Sequence, residues 1–124
     1  MKFSVKERKP SAEVSFEVAN GTVQFTVTAL DNDQISLDYV GKPRTSAKIR
    51  AALADCIVGW NLEREDGTPW ECTAENKALL IPDLVNLAVK EKKAEDGAVL
   101  IPEGMPLGLT LFNFASTPEN FLKN

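Results

Sequence analysis

The chain has 124 residues, 14 basic and 18 acidic, for a formal charge of -4, and its 44% apolar and 26% charged content is that of a folded domain rather than a disordered or fibrous chain. A chain of this length can close one hydrophobic core, so a single domain over residues 1–124 is expected. The negative balance opposes attraction to phosphate backbones and anionic lipid, which argues against nucleic acid or a membrane as partner; the only basic cluster, Lys2, Lys6, Arg8 and Lys9, is interrupted by Glu7.

The start, MKFSVKERKPSAEV, is charged but carries no apolar segment of the kind that directs export, and no apolar run is long enough to span a bilayer. A cytoplasmic chain is therefore expected, with Cys56 and Cys72 kept reduced as core thiols. Residues 1–11 are expected to be a mobile end. The strongest local signal follows: Val14, Phe16 and Val18 alternate with polar residues, Asn20-Gly21 intervenes, and Val23, Phe25 and Val27 alternate again. This predicts a β-hairpin with its apolar side chains on one face and Glu13, Ser15, Glu17, Gln24 and Thr26 on the other. A type I′ turn centred on Asn20-Gly21 would pair Val18 with Val23, Phe16 with Phe25 and Val14 with Val27.

Ile35, Leu37 and Tyr39 alternate in a possible third strand, closing a β-rich region over residues 12–40. Residues 45–95 read as helical. Thr45 or Ser46 can cap a first helix in which Ile49, Leu53, Cys56 or Ile57, and Trp60 form the buried stripe. Asp66-Gly67 with Pro69 predicts a turn, and Thr73 an N-cap for AENKALLI. Pro82 lacks an N–H and clashes one turn back, so a fresh helix is expected from Pro82-Asp83 through Leu84, Leu87 and Ala88 to about residue 94. Residues 97–115, punctuated by Pro102, Gly104, Pro106 and Gly108, read as irregular or strand. Within them LGLTLFNFA is apolar on both sides, which suits a central strand, a helix or a surface covered by a partner. Residues 116–124 read as a mobile tail with an optional turn capped by Thr117.

The fold class expected from these elements is α+β, an N-terminal antiparallel hairpin or small sheet packed with two or three short helices. A mostly helical domain with the hairpin as an arm is the alternative.

Histidine is absent, which removes the commonest general base and metal ligand together with every Ser-His or Cys-His nucleophile. No phosphate-binding glycine loop, C-x-x-C or EF-hand spacing occurs, and Cys56 and Cys72 lack the nitrogen partners of a zinc site. No cofactor and no metal are expected. An enzyme using a cysteine or the carboxylates is the least favoured reading. Trp60 and Trp70, either side of the acidic turn, suit core packing or a partly exposed interface anchor.

The stretch IVGWNLEREDGTPWECTAENKALLIPDLVNLAV resembles the hallmark region of tail assembly chaperones from long-tailed bacteriophages and prophages. Trp60, Asn61, Leu62, Asp66, Gly67, Pro69, Thr73, Glu75, Asn76, Leu79, Pro82 and Leu84 match that pattern, while Trp70 stands where a smaller apolar residue is usual. The resemblance implies a non-enzymatic protein of the host bacterium's cytoplasm, which holds the helical tape-measure protein while tail tube protein assembles around it, and which self-associates. It directs attention to Trp60, Trp70, Leu84 and Leu87 around a helix over residues 83–94, and to Leu111, Phe112 and Phe114 in LTLFNF, as protein-binding positions. A tail tube, tail completion or head-tail joining protein is the competing expectation.

Overall fold

The structure, a computed structural model, describes residues 10–30 and 46–122. The expected strand at Ile35, Leu37 and Tyr39, the Thr45 cap and residues 1–9 lie outside them. The fold is α+β, as the alternation and periodicity imply. Strands β1 (Ser11–Val18) and β2 (Gly21–Thr28) form the hairpin, followed by helix α1 (Ser46–Cys56), strand β3 (Ile57–Trp60) and helix α2 (Ala74–Leu84). Short strands β4 (Ala88–Val89), β5 (Lys92–Lys93), β6 (Val99–Ile101) and β7 (Met105–Pro106) come next, then helix α3 (Leu107–Ala115) and a 3-10 turn at Pro118–Phe121. The main sheet has the order β3-β2-β1-β4-β7, and β5 and β6 make a separate two-stranded arm. The hairpin thus sits in the middle of a sheet, and the alternative of a hairpin arm on a helical domain does not hold.

Phe16, Val18, Val23, Phe25 and Val27 are buried on one face, as the alternation requires. The register differs from the expected one by two residues: Val18 pairs with Gly21, Phe16 with Val23 and Val14 with Phe25. The loop is therefore Ala19-Asn20, and neither takes a positive φ; Gly21 does, at +138°. Gly21 is thus the residue that takes the positive φ, and Asn20 does not adopt the left-handed conformation that a type I′ turn needs. A two-residue shift keeps every side chain on its face, which is why the core is unaffected.

Helix α1 ends at Cys56, earlier than expected. Leu53 and Cys56 are on its buried stripe, but Ile57–Trp60 switches to strand and pairs antiparallel with β2, setting Trp60 opposite Phe25. Trp60 therefore lies on the sheet and not on the helix. Helix α2 has the expected Thr73 cap, whose hydroxyl accepts from the Asn76 N–H at 3.1 Å, yet it runs through Pro82 to Leu84. Pro82 deprives the Ala78 carbonyl of its helical partner, but Ala78 is exposed and the helix ends two residues later, so the loss falls where water can make it good.

No helix follows from Pro82-Asp83. After Leu84 the chain turns at Val85-Asn86, enters β4 and leaves it for the β5–β6 arm, so the expected helix over residues 83–94 is replaced by strands. The arm turns at Asp96-Gly97, where the Asp96 carboxylate accepts from the Ala98 N–H at 2.9 Å and Gly97 takes φ +87°. Residues 97–115 are likewise not irregular throughout: Leu107–Ala115 is a helix in the middle of the core, with Leu107, Gly108, Thr110, Leu111, Phe112 and Ala115 buried. Its Thr110 hydroxyl donates to the Pro106 carbonyl at 3.0 Å, which allows a hydroxyl in that setting. Part of each expected mobile end is structured. Ser11 opens β1, and Phe121 is buried, its ring 5.8 Å from that of Phe114. Thr117 caps nothing with its side chain, its hydroxyl donating back to the Asn113 carbonyl at 2.7 Å.

Candidate functional site

Two places stand out, the corner that carries both tryptophans and a groove beside β1. The corner is a fastening built residue by residue. Asn61 extends the sheet beyond β3: its N–H donates to the Gln24 carbonyl, its side-chain oxygen accepts from the Gln24 N–H at 2.9 Å, and its amide donates to the Thr22 carbonyl at 3.2 Å. The chain then folds back on itself, with the Trp70 N–H donating to the Leu62 carbonyl at 2.9 Å and the Arg64 N–H to the Thr68 carbonyl at 2.7 Å. At the tip, the Asp66 carboxylate accepts from both the hydroxyl and the N–H of Thr68, at 2.6 and 2.9 Å, and Gly67 takes φ +89°. Those two bonds, the hydroxyl first, hold the Asp66 carboxyl below its ordinary range.

The Trp60 indole meets the Trp70 backbone across this loop. Trp60 Nε1 donates to the Trp70 carbonyl at 2.7 Å, so the half-buried ring of one fixes the backbone of the other. Arg64 lies 4.1 Å over the Trp70 ring while its Nη1 donates to the Pro69 carbonyl at 2.8 Å, a cation–π contact that covers the ring's outer face. Farther on, the Asn76 amide donates to the Glu71 carbonyl at 2.8 Å, tying the cap of α2 to the loop, and Lys77 Nζ donates to the Ala54 carbonyl at the end of α1. Trp60, Asn61, Asp66, Gly67, Thr73 and Asn76 thus each have a mechanical duty.

The remaining positions singled out from the sequence scatter. Leu111 and Phe112 are about 1% exposed, so they belong to the core and cannot meet a partner, contrary to expectation. A helix that is apolar on most sides must be largely enclosed, and α3 is, with Asn113 exposed and Phe114 half-buried. Leu84 is half-buried against the same core. Leu87 is exposed just after α2, and Leu79 on α2 itself is 60% exposed. Phe114 is half-buried and borders the groove.

That groove, about 420 Å3, was not anticipated. Val14 and Phe16 of β1 form one wall, Leu100 and Ile101 of the arm another, and Met105 with Phe114 the third. Leu100 is 59% exposed at its lip, and Lys92 is the charged side chain that reaches it. A smaller space of about 360 Å3 continues on the other side of the arm, sharing Phe16, Lys92 and Ile101. The sequence signal for the arm is the second Glu-Asp-Gly, at residues 95–97.

Reactive chemistry is sparse. Cys56 is buried, and burial pushes the half-buried Cys72 thiol up against a weaker opposing pull from Lys77, which leaves less thiolate at neutral pH than an open cysteine has. Among the described residues, no group of three or more Cys, Asp or Glu side chains is placed to hold a metal ion. No helix among them is long and apolar enough to cross a membrane. The chain matches no protein-family model, no curated protein and no solved structure.

Proposed function

We propose that this protein is a tail assembly chaperone of a long-tailed bacteriophage or prophage, a non-enzymatic binder in the host cytoplasm that shields apolar surface of the tape-measure protein until tail tube protein encloses it. The observation that carries the reading is the stretch from Ile57 to Val89, whose likeness to the hallmark region of those chaperones extends to Trp60, Asn61, Asp66, Gly67, Thr73 and Asn76. In the fold these residues make a rigid corner between β3 and α2 with no reactive group at its centre, which suits a scaffold for a binding surface. Exposed apolar side chains lie beyond that corner, Leu79 and Leu87 near α2 and Val99 and Leu100 on the arm, and are the natural contact points for a greasy partner.

Co-expression with the tape-measure protein of the same phage or prophage tests this. The expected result is that the tape-measure protein moves from the insoluble to the soluble fraction and co-purifies with this chain. Failure to rescue solubility and to form a complex would overturn the reading. Mass spectrometry of purified particles separates it from the competing one, since a chaperone leaves the particle and a tail tube or joining protein stays.

A further inference from the structure

In the β1–β2 hairpin the Ala29 N–H donates to the Pro10 carbonyl, and Ala12, Val14, Phe16 and Val18 stand opposite Val27, Phe25, Val23 and Gly21. In an antiparallel ladder the bonded pairs alternate, so even-numbered residues of β1 bond to β2 and odd-numbered ones turn their N–H and C=O to the other edge. The Glu17 carbonyl confirms the phase by accepting from the Lys90 N–H at 2.8 Å. There the pairing stops. β4 meets β1 only at Val18 and Val89, because the chain peels away after Lys90 into the arm. Ser11, Glu13 and Ser15 are left with one outward N–H and one outward C=O each, and no described residue takes them. This bare edge borders the 420 Å3 groove through Val14 and Phe16.

We propose that the Ser11–Ser15 edge of β1 and the adjoining groove form a docking site for an extended segment of a partner protein, which adds as a strand and places apolar side chains at alternate positions into the groove and a carboxylate beside Lys92. An unpaired edge offers main-chain bonds only to another extended chain, and side chains of that chain alternate between the two faces of the sheet. On the inner face they meet Phe16, Ile101, Met105 and Phe114, and they cover the exposed Leu100. Lys92 is the charged group lining the groove and makes no ion pair with a described residue, the arm's pair being Lys93 with Glu91. A second copy of this chain fits the edge poorly: two-fold pairing about the middle of the bare stretch sets Glu13 against Glu13, and like charges directly opposite destabilise a ladder. The site stands on the strand pairing and holds whether or not the partner belongs to a phage tail.

The probe is the peptide acetyl-Thr-Val-Thr-Val-Thr-Glu-Thr-amide, whose valine and glutamate side chains share one face, added to the isotope-labelled protein and followed by NMR. Saturable shifts and slowed hydrogen exchange at the Ser11, Glu13 and Ser15 amides are expected, with affinity falling at least about tenfold when the alternate peptide nitrogens that face β1 are methylated, since more than one main-chain bond is then lost. Lys92→Glu is expected to weaken the same peptide and to favour its Glu-to-Lys counterpart, a reversal that misfolding would not produce. No saturable shift at about 1 mM peptide, equal binding of the methylated peptide, or a dimer whose β1 amides are protected without peptide would each overturn the proposal. Failure here leaves the tape-measure rescue untouched, and failure of that rescue leaves this edge as it is.

Discussion

Helix α3 and the tryptophan corner are both rich in large apolar side chains, yet they are held by different forces. Helix α3 has no capping side chain and no charged residue, and it is held because Leu107, Leu111 and Phe112 are enclosed by α1, α2 and the sheet. The corner is largely exposed, and it is held by directed bonds: an indole to a carbonyl, a carboxylate to a hydroxyl, an asparagine to a strand edge. Enclosure tolerates no change of volume, whereas a network of exposed bonds loses them one at a time. The contrast also says where binding can occur, since a surface for partners has to lie on elements that the enclosed helix supports and the corner orients.

The largest effect should come from the enclosed helix. Phe112→Ala leaves a cavity at a site about 1% exposed, and thermal or denaturant unfolding should show a loss of about 3–5 kcal/mol. Gly108→Ala tests the same enclosure from the other direction. A Cβ at Gly108 would come within 2.6 Å of the Val85 Cβ and 3.0 Å of its Cα, so the backbone of the turn after α2 has to move. Overpacking of this kind costs about 1–3 kcal/mol, against which the better helix propensity of alanine recovers at most about 1 kcal/mol. A stabilised Gly108→Ala protein would show that α3 is not pressed against Val85.

Trp60→Phe probes the corner. It keeps a ring opposite Phe25 but deletes the bond from Nε1 to the Trp70 carbonyl, and a loss of about 1 kcal/mol is expected, the net worth of one partly buried hydrogen bond. The fluorescence of Trp70 should change with it, because the backbone that carries that ring is released. An unfolding loss as large as that of Phe112→Ala would mean that the corner is core after all.

The same contrast explains what could be read from the residues. The hairpin, the Thr73 cap and the Asp66-Gly67 turn are legible because they are local: period-two alternation, a hydroxyl three residues before an N–H, an aspartate two residues before another. The end of α1 was not, because Cys56-Ile57 and Trp60 keep the helical spacing while the residues that capture Ile57–Trp60 lie thirty or more positions away in sequence. Pairing with β2 overrides local preference there. Helix α3 was ambiguous because a nine-residue run apolar on most sides has no period to read; only its enclosure by three other elements decides. The turn of the arm carries a local signal as well: Ala94–Ala98 repeats the geometry of Arg64–Thr68, with the bond from the Gly97 N–H to the Ala94 carbonyl at 2.9 Å matching that from Gly67 to Arg64 at 2.9 Å. The lysine-rich approach read as a helix end hid the same Glu-Asp-Gly tripeptide. Of the binding positions named from sequence, Trp60 and Trp70 were brought together, Leu111 and Phe112 went to the core, and the bare β1 edge was invisible because it depends on where β4 leaves the sheet.

The smallest effect lies at the tip of the corner and is one of pH. Asp66 is fully exposed, so the lowering of its pKa comes from the Thr68 hydroxyl and N–H rather than from burial, whose weaker effect has the opposite sign. A carboxylate with a depressed folded-state pKa stabilises the fold above its unfolded value of about 3.8, and that contribution is lost as pH falls through the lower folded value. The turn should therefore loosen only in strong acid, and NMR titration of the Asp66 side chain should place its midpoint below that of an unstructured aspartate. Thr68→Val removes the first and larger of the two bonds while leaving the backbone N–H, so the midpoint should rise part of the way back. An unchanged midpoint in Thr68→Val would mean that the 2.6 Å hydroxyl contact does not persist in solution, and that the tip of the corner is held by its main-chain bonds, the Thr68 N–H to Asp66 among them.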